Sequence, residues 1–117
     1  MAVDLILKKG DTRSWQITLS DTDNTALNLV DSRTKFWLRT DEGASQRYMI
    51  RDTSGVGSDN ISASDTSGIV TITITTADWV PFSDNYGIFV GEFWVSDAND
   101  KVNYTKDITV HVQEAIV

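Results

Sequence analysis

The sequence contains no cysteine, one histidine and one proline in 117 residues. Without cysteine the chain has no disulfide framework, no thiolate zinc site and no cysteine nucleophile, and the redox compartment stays undetermined. No apolar run approaches the roughly 18 residues that cross a membrane, and the N-terminus lacks a basic stretch followed by a long apolar one. We therefore expect a soluble protein with no secretion signal and no membrane partner.

Positive charge is scarce as well. The chain carries 10 Lys and Arg against 17 Asp and Glu, which gives a formal net charge of −7 at pH 7. A protein that binds nucleic acid must neutralise phosphates with basic side chains, and the sequence shows no basic patch. We therefore expect no nucleic-acid partner.

Glutamate is rare, with three residues against 14 aspartates, whereas Ile, Val and Thr together supply 35 of the 117 residues. Helix-rich domains favour Glu and Leu, so this composition predicts a mostly β protein. The length is that of one compact domain, and we expect residues 1–117 to form a single domain.

Alternation of apolar and polar residues predicts eight short strands. They cover residues 3–8, 13–20, 33–39, 46–50, 59–63, 68–75, 86–96 and 102–112. Segments rich in Asp, Asn and Gly separate them, as expected for turns. Short, evenly spaced strands favour an all-β, antiparallel immunoglobulin-like β-sandwich of seven to eight strands, with a small closed barrel as the alternative. No interval holds a crossover helix, which disfavours a parallel α/β fold.

Residues 75–80 break this alternation. Thr75 followed by Asp78 resembles a capping box, and Pro81 should stop any helix, so we expect one short helical turn. Trp79 and Phe82 would close one end of the core from this turn. The strand faces predict a core that contains Trp15, Ile17, Leu19, Phe36, Leu38, Ile72, Ile74, Phe93, Val95 and Val110.

Candidate catalytic groups are few. His111 is the only histidine, and its alternation with Val110 and Val112 places it on the outer face of the last strand. No acid–base partner can be named around it, and no nucleophile elbow, phosphate loop or dinucleotide fingerprint occurs. The sequence therefore predicts no enzyme activity, no catalytic residue and no cofactor.

Two acidic turns are the candidate metal sites, one with Asp21, Asp23 and Asn24 and the other with Asp97, Asn99 and Asp100. Calcium prefers oxygen ligands, but the helix-loop-helix calcium site needs further ligands, a Gly and a terminal Glu, and neither turn continues in that way. Turn chemistry explains both clusters, because Asx side chains accept hydrogen bonds from nearby backbone amides. We therefore expect no metal site.

Two tryptophans are the candidate binding residues, because Phe36, Leu38, Phe93 and Val95 suit the core and their sequence neighbours must then face outward. In an immunoglobulin-like sandwich these two strands are adjacent, so the outward residues share one face, which Thr105 and Asp107 extend. Aromatic residues with a charged rim are typical of protein interfaces. The predicted interface consists of Lys35, Trp37, Arg39, Val90, Glu92 and Trp94.

Two alternatives to this interface stay open. A register shift of one residue would exchange Trp37 for Phe36 and Leu38. The tryptophans could also lie flat on their own sheet beneath long Lys and Arg side chains.

The order of these signals resembles the immunoglobulin-like domains of tailed-bacteriophage virion proteins, including the N-terminal domain of upper baseplate proteins. Four stretches that together span nearly the whole chain carry the resemblance. They are Lys9–Thr12 leading into Trp15–Leu19; Leu27–Leu29 before Phe36–Arg39; Asp65–Ile72 followed by Thr76–Asp78; and Tyr86–Ala98 continuing to Lys101–Val102.

The sequence departs from this family's pattern in two ways. The final hairpin, Asp97–Lys101, lacks the usual Gly, although Asn99 can adopt the positive φ that the turn requires. Upper baseplate proteins also continue into further domains, whereas this sequence ends at Val117, so we expect a single-domain component.

The resemblance implies a structural role in a virion assembled in the bacterial host cytoplasm, as a building block of a tail, baseplate, neck or fibre. Its partners would be other virion proteins and copies of itself. The alternatives are a capsid decoration protein and a carbohydrate-binding or adhesion module, because exposed tryptophans can stack on sugar rings. The fold alone does not separate these functions.

Overall fold

The computed structural model describes residues 4–21, 23–40, 46–55, 57–64, 66–82, 87–96 and 102–113, and within these ranges the chain is mostly β. The strands are β1 (Leu5–Lys8), β2 (Ser14–Thr18), β3 (Arg33–Arg39), β4 (Tyr48–Asp52), β5 (Ile61–Ser62), β6 (Ile69–Thr73), β7 (Gly87–Ser96) and β8 (Val102–Gln113). Two short 3₁₀ helices span Ser58–Asn60 and Thr76–Phe82. The prediction of a mostly β chain is confirmed.

The strands form two sheets. The larger has the strand order β1-β8-β7-β3-β4, and the smaller has the order β2-β6-β5. All neighbours run antiparallel except β1, which pairs with β8 in parallel, with Leu5 opposite Val110. The prediction of a purely antiparallel fold is therefore wrong at this edge. Although β1 and β2 follow one another in the chain, they lie in different sheets and form no hairpin. Strand β1 instead pairs with the last strand, β8, at the edge of the larger sheet.

The two sheets share one hydrophobic core. Trp15 of β2 packs edge-on against Phe36 of β3 and Phe93 of β7, with ring centroids 5.5 Å and 6.4 Å away. The predicted core residues are buried, apart from Ile17. Ile17 is half-buried and packs against this core from the edge strand β2.

The second 3₁₀ helix closes one end of the core. The Thr75 backbone N–H donates to Asp78 Oδ2 at 2.7 Å, as the capping-box pattern predicts, and Trp79 and Phe82 are buried. The helix is longer than the predicted single turn, and Pro81 lies inside it instead of ending it. A proline removes only one backbone donor from so short a segment, and the two buried rings, 5.0 Å apart, hold the segment on the core.

The predicted strand at residues 59–63 is shorter than expected, because Ser58–Asn60 forms the first 3₁₀ helix. Gly57 precedes this helix with a φ of 75°, a left-handed conformation that glycine adopts without strain. The chain therefore turns before it enters β5.

A buried ion pair joins the two sheets to the second 3₁₀ helix. Arg51 lies on the inner side of β4 and is 3% exposed. Its Nη2 donates to Asp78 Oδ2 at 2.6 Å and to the Thr73 carbonyl of β6 at 2.8 Å. Because a buried charge must be paired and hydrogen-bonded, these contacts fix β4, β6 and the helix in one arrangement.

Candidate functional site

The outer face of the larger sheet carries the residues that the sequence assigns to an interface. In the β3–β7 pair, Lys35 lies opposite Trp94 and Trp37 lies opposite Glu92. In the β7–β8 pair, Thr105 lies opposite Trp94 and Asp107 lies opposite Glu92. Residues opposite one another share a face, so these residues lie together, while their role as an interface stays a prediction.

The register of β3 is also confirmed. Phe36 and Leu38 are fully buried in the core, so the alternative register, with Trp37 in the core, is wrong.

The two tryptophans lie side by side on this face, with ring centroids 6.1 Å apart. Trp94 is 36% exposed, but Trp37 is only 8% exposed. The Arg47 guanidinium covers Trp37, 4.4 Å from the ring centroid, as a cation–π contact. The prediction of two solvent-exposed tryptophans is therefore wrong for Trp37, which lies beneath an arginine as the second alternative proposed.

Glu92 organises the residues beneath this surface. Its Oε1 accepts a hydrogen bond from Trp37 Nε1 at 2.5 Å and lies 2.9 Å from Arg39 Nε. The Arg39 Nε–H does not point along this contact, so Arg39 and Glu92 form an ion pair without a hydrogen bond there. The Glu92 carboxylate is therefore already bound to Trp37 and Arg39 of its own sheet. We expect Trp37, Arg39 and Glu92 to hold the surface in position, while other residues contact a partner.

A second ion pair borders the face at β4. Arg33 donates to both carboxylate oxygens of Asp52, at 2.9 Å and 2.8 Å, and the Ser54 backbone N–H also donates to Asp52. The hydrogen bonds from Arg33 lower the pKa of Asp52 below its ordinary value, although burial acts in the opposite direction. Asp52 is therefore an ionised and paired group.

A cleft of about 330 Å³ opens at the end of this face where β7 meets β8. Its apolar surface comes from Trp94 and from Val102, which is 44% exposed. Lys35 and Arg47 contribute positive charge, and neither forms an ion pair with any residue that the structure describes. We name these four residues, together with Trp37 and Ser96, the Trp94 cleft. It can contact an apolar group and an anion at the same time.

The sequence prediction missed Arg47, Ser96 and Val102. Strand β4, which begins directly after Arg47, has a bulge: Tyr48 lies opposite Leu38 and Arg51 lies opposite Phe36, and Met49 between them has a φ of 51°. A bulge places two residues opposite one and breaks the alternation that assigns faces. Periodicity therefore gives no signal for the position of Arg47.

Neither His111 nor Asp21 is among the described residues that line this cleft. His111 lies on the outer face between Ile6 of β1 and Ile88 of β7, as predicted. Asp21 Oδ1 accepts hydrogen bonds from the backbone N–H groups of Asp23 and Thr25, which confirms the predicted turn. The turn with Asp97, Asn99 and Asp100 lies outside the described residues. In the part of the chain that is described, no group of three or more His, Asp or Glu side chains could hold a metal ion.

Comparison with models of known protein families finds no match, and comparison with curated protein sequences finds none. No helix among the described residues is long and apolar enough to cross a membrane. The function must therefore be argued from the strand arrangement and from the outer face.

Proposed function

We propose that the chain is an immunoglobulin-like β-sandwich and a non-enzymatic structural component of a tailed-phage virion, acting through protein–protein contacts. The observation that carries the proposal is the strand order. The order β8-β7-β3-β4 corresponds to the G-F-C-C′ sheet of a variable-type immunoglobulin domain, and β2-β6-β5 corresponds to B-E-D. Such an arrangement supports the family resemblance, which implies a virion building block.

The aromatic contact between the sheets supports the same assignment. Immunoglobulin domains of antibodies pack a strand-C tryptophan against a disulfide between strands B and F. Here Trp15, Phe36 and Phe93 come from the strands that correspond to B, C and F, and their rings contact one another. An aromatic cluster would thus take the place of the disulfide in a chain without cysteine.

The stretches that carry the resemblance coincide with structural elements. Trp15–Leu19 contains most of β2, Phe36–Arg39 lies in β3, and Thr76–Asp78 begins the second 3₁₀ helix. A resemblance that reflected composition alone would not have to respect these boundaries.

Protein contact is supported by the exposed part of the outer face. Trp94 and Val102 expose apolar area beside Lys35 and Arg47, and an aromatic centre with a charged rim matches the anatomy of interfaces. We assign Trp94 and Lys35 as contact residues, with Val90 on the same face. Trp37, Arg39 and Glu92 would hold these residues in position.

A carbohydrate-binding or adhesion function is the second candidate. It is favoured by the exposure of Trp94 at the mouth of a concave site, because the apolar face of a sugar ring can pack on an indole. A glycan-binding screen on the isolated protein, with Trp94→Ala as the control, tests this candidate. Binding that requires Trp94 would favour it over a purely structural role.

Analysis of purified particles tests the main proposal. Tailed-phage particles from the host that produces this chain would be fractionated and analysed by mass spectrometry, and a map of the particle would show what the chain touches. The proposal expects the chain in the particle, with the outer face of the larger sheet against another protein. Particles that lack the chain would contradict the proposal.

A further inference from the structure

The positive charge of the Trp94 cleft contrasts with the rest of the chain. The protein has a net charge of −7, yet the described residues that line this cleft include Lys35 and Arg47 and no acidic residue. Opposite charges across an interface steer association and fix its register. A ligand of this cleft should therefore carry negative charge.

Two acidic groups described beside the cleft are already engaged. Asp52, which lies opposite Lys35, accepts hydrogen bonds from Arg33, and Glu92 contacts Trp37 and Arg39. Within the described residues, neither Lys35 nor Arg47 forms an ion pair with these groups, although Lys35 adds to the effect of Arg33 in lowering the pKa of Asp52. An acidic group of another molecule can therefore bind beside them.

The surface of the chain itself supplies suitable groups. Asp23, Asp31 and Asp59 are exposed, and acidic residues outnumber basic ones by 17 to 10. A second copy therefore presents exposed carboxylates, and a virion building block is by its nature present in many copies.

We propose that the Trp94 cleft binds an acidic side chain of a second copy of this chain. The carboxylate would lie between Lys35 and Arg47, while apolar atoms beside it would pack on Trp94 and Val102. This inference rests on the proposed function, because it specifies the partner of the same face. A cleft on one copy and an acidic group on another make a heterologous contact, which joins copies into a ring or an open chain.

Two double variants test the role of charge. Lys35→Gln with Arg47→Gln removes the two cations of the cleft, and Lys8→Gln with Lys9→Gln removes two cations of β1 and the following turn. Each variant changes the net charge from −7 to −7 − 2 = −9, so general repulsion between copies rises equally in both. A difference in self-association between the two variants therefore measures the contribution of the two cations of the cleft.

Sedimentation equilibrium of the full chain, at salt near 0.1 M so that charges are only partly screened, measures self-association. The wild-type protein and the Lys8/Lys9 variant should associate similarly. The Lys35/Arg47 variant should bind roughly two to thirty times more weakly than the Lys8/Lys9 variant, as expected for the loss of two exposed ion pairs. Circular dichroism of each variant verifies that the fold is retained. Equal association of the two variants would overturn the inference.

Carbodiimide cross-linking identifies the partner group, because it joins a lysine amine to a carboxylate that touches it. In a mixture of unlabelled and nitrogen-15-labelled protein, mass spectrometry should find Lys35 joined to an acidic residue of the differently labelled copy. Cross-links of Lys35 within one copy only would overturn the inference.

The proposed function and this inference can fail separately. If the wild-type chain stays monomeric up to its solubility limit but is found in particles, the second copy is wrong and the virion role stands. If the Lys35/Arg47 variant is also absent from those particles, the partner is a different virion protein. If the chain associates through the cleft but is absent from particles, the virion role is wrong and the inference about a second copy stands.

Discussion

The two faces of the larger sheet bury their aromatic residues in different ways. On the inner face, Phe36 and Phe93 are covered by Trp15 from the opposite sheet. On the outer face no second sheet of the described residues covers β3 and β7, and Trp37 is instead covered by Arg47 and hydrogen-bonded to Glu92. Burial therefore comes from the other sheet on one side and from charged side chains of the same sheet on the other.

This contrast shows what the outer face can offer a partner. Arg47 covers Trp37, and Glu92 accepts a hydrogen bond from its indole. Trp94 is therefore the exposed ring of this pair. The inner face contributes most to the stability of the fold. The outer face contributes less, and it leaves Trp94 accessible to a partner. Substitutions on the two faces should differ accordingly.

The largest effect is expected on the inner face. Trp15→Ala removes the ring that touches both Phe36 and Phe93, and large core aromatics cost roughly 3–5 kcal/mol when truncated to alanine. Urea or guanidinium unfolding measures the change. A loss of well under about 1 kcal/mol would mean that Trp15 does not hold the two sheets together.

The buried ion pair is expected to come next. Asp78→Ala leaves the Arg51 charge buried without its carboxylate, which should lower the free energy of unfolding by about 3 kcal/mol. The exposed Asp59→Ala, in the first 3₁₀ helix, is the control and should change stability little. Equal effects of the two substitutions in denaturant unfolding would show that the Arg51 contact does not stabilise the fold.

Trp37→Phe should have an intermediate effect. It keeps an aromatic ring beneath Arg47 but removes the N–H that donates to Glu92, and a hydrogen bond to a charged group contributes about 1.5–3 kcal/mol. Trp94→Phe, at the exposed ring, is the matched control and should change stability by less than about 0.5 kcal/mol. If Trp94→Phe were the more destabilising, our assignment of support to Trp37 would be wrong.

The ion pair at the border of the outer face should give a small, pH-dependent effect. Arg33 lowers the pKa of Asp52, so the pair stabilises the fold fully above the ordinary value of 3.8, and this contribution is lost as pH falls through the lowered value. Asp52→Asn should therefore cost about 1 kcal/mol near neutral pH, as for a well-aligned partly exposed pair, and almost nothing at strongly acidic pH. Urea unfolding at both conditions measures this difference, and a difference independent of pH would contradict it.

The sequence predicts the strands and the inner face well, because burial against a second sheet imposes a strict alternation on β2, β3, β6 and β7. It fails where alternation carries no information. The parallel pairing of β1 depends on which sheet the first strand joins, and the bulge at Met49 removes the signal that would place Arg47. Alternation alone could not decide between an exposed Trp37 and one covered by an arginine, because the covering side chain, Arg47, comes from outside its own strand.

Incorporation of Trp94→Ala into particles tests the central claim most directly. Ile88→Ala is the matched control, since Ile88 is also an exposed apolar residue on the outer side of β7, but at the opposite end of the strand. Both variants should remain folded. We predict that Trp94→Ala is incorporated about tenfold less than wild type or worse, as for a central aromatic contact, while Ile88→Ala is incorporated normally. Normal incorporation of a folded Trp94→Ala variant would show that the outer face around the Trp94 cleft is not the assembly interface.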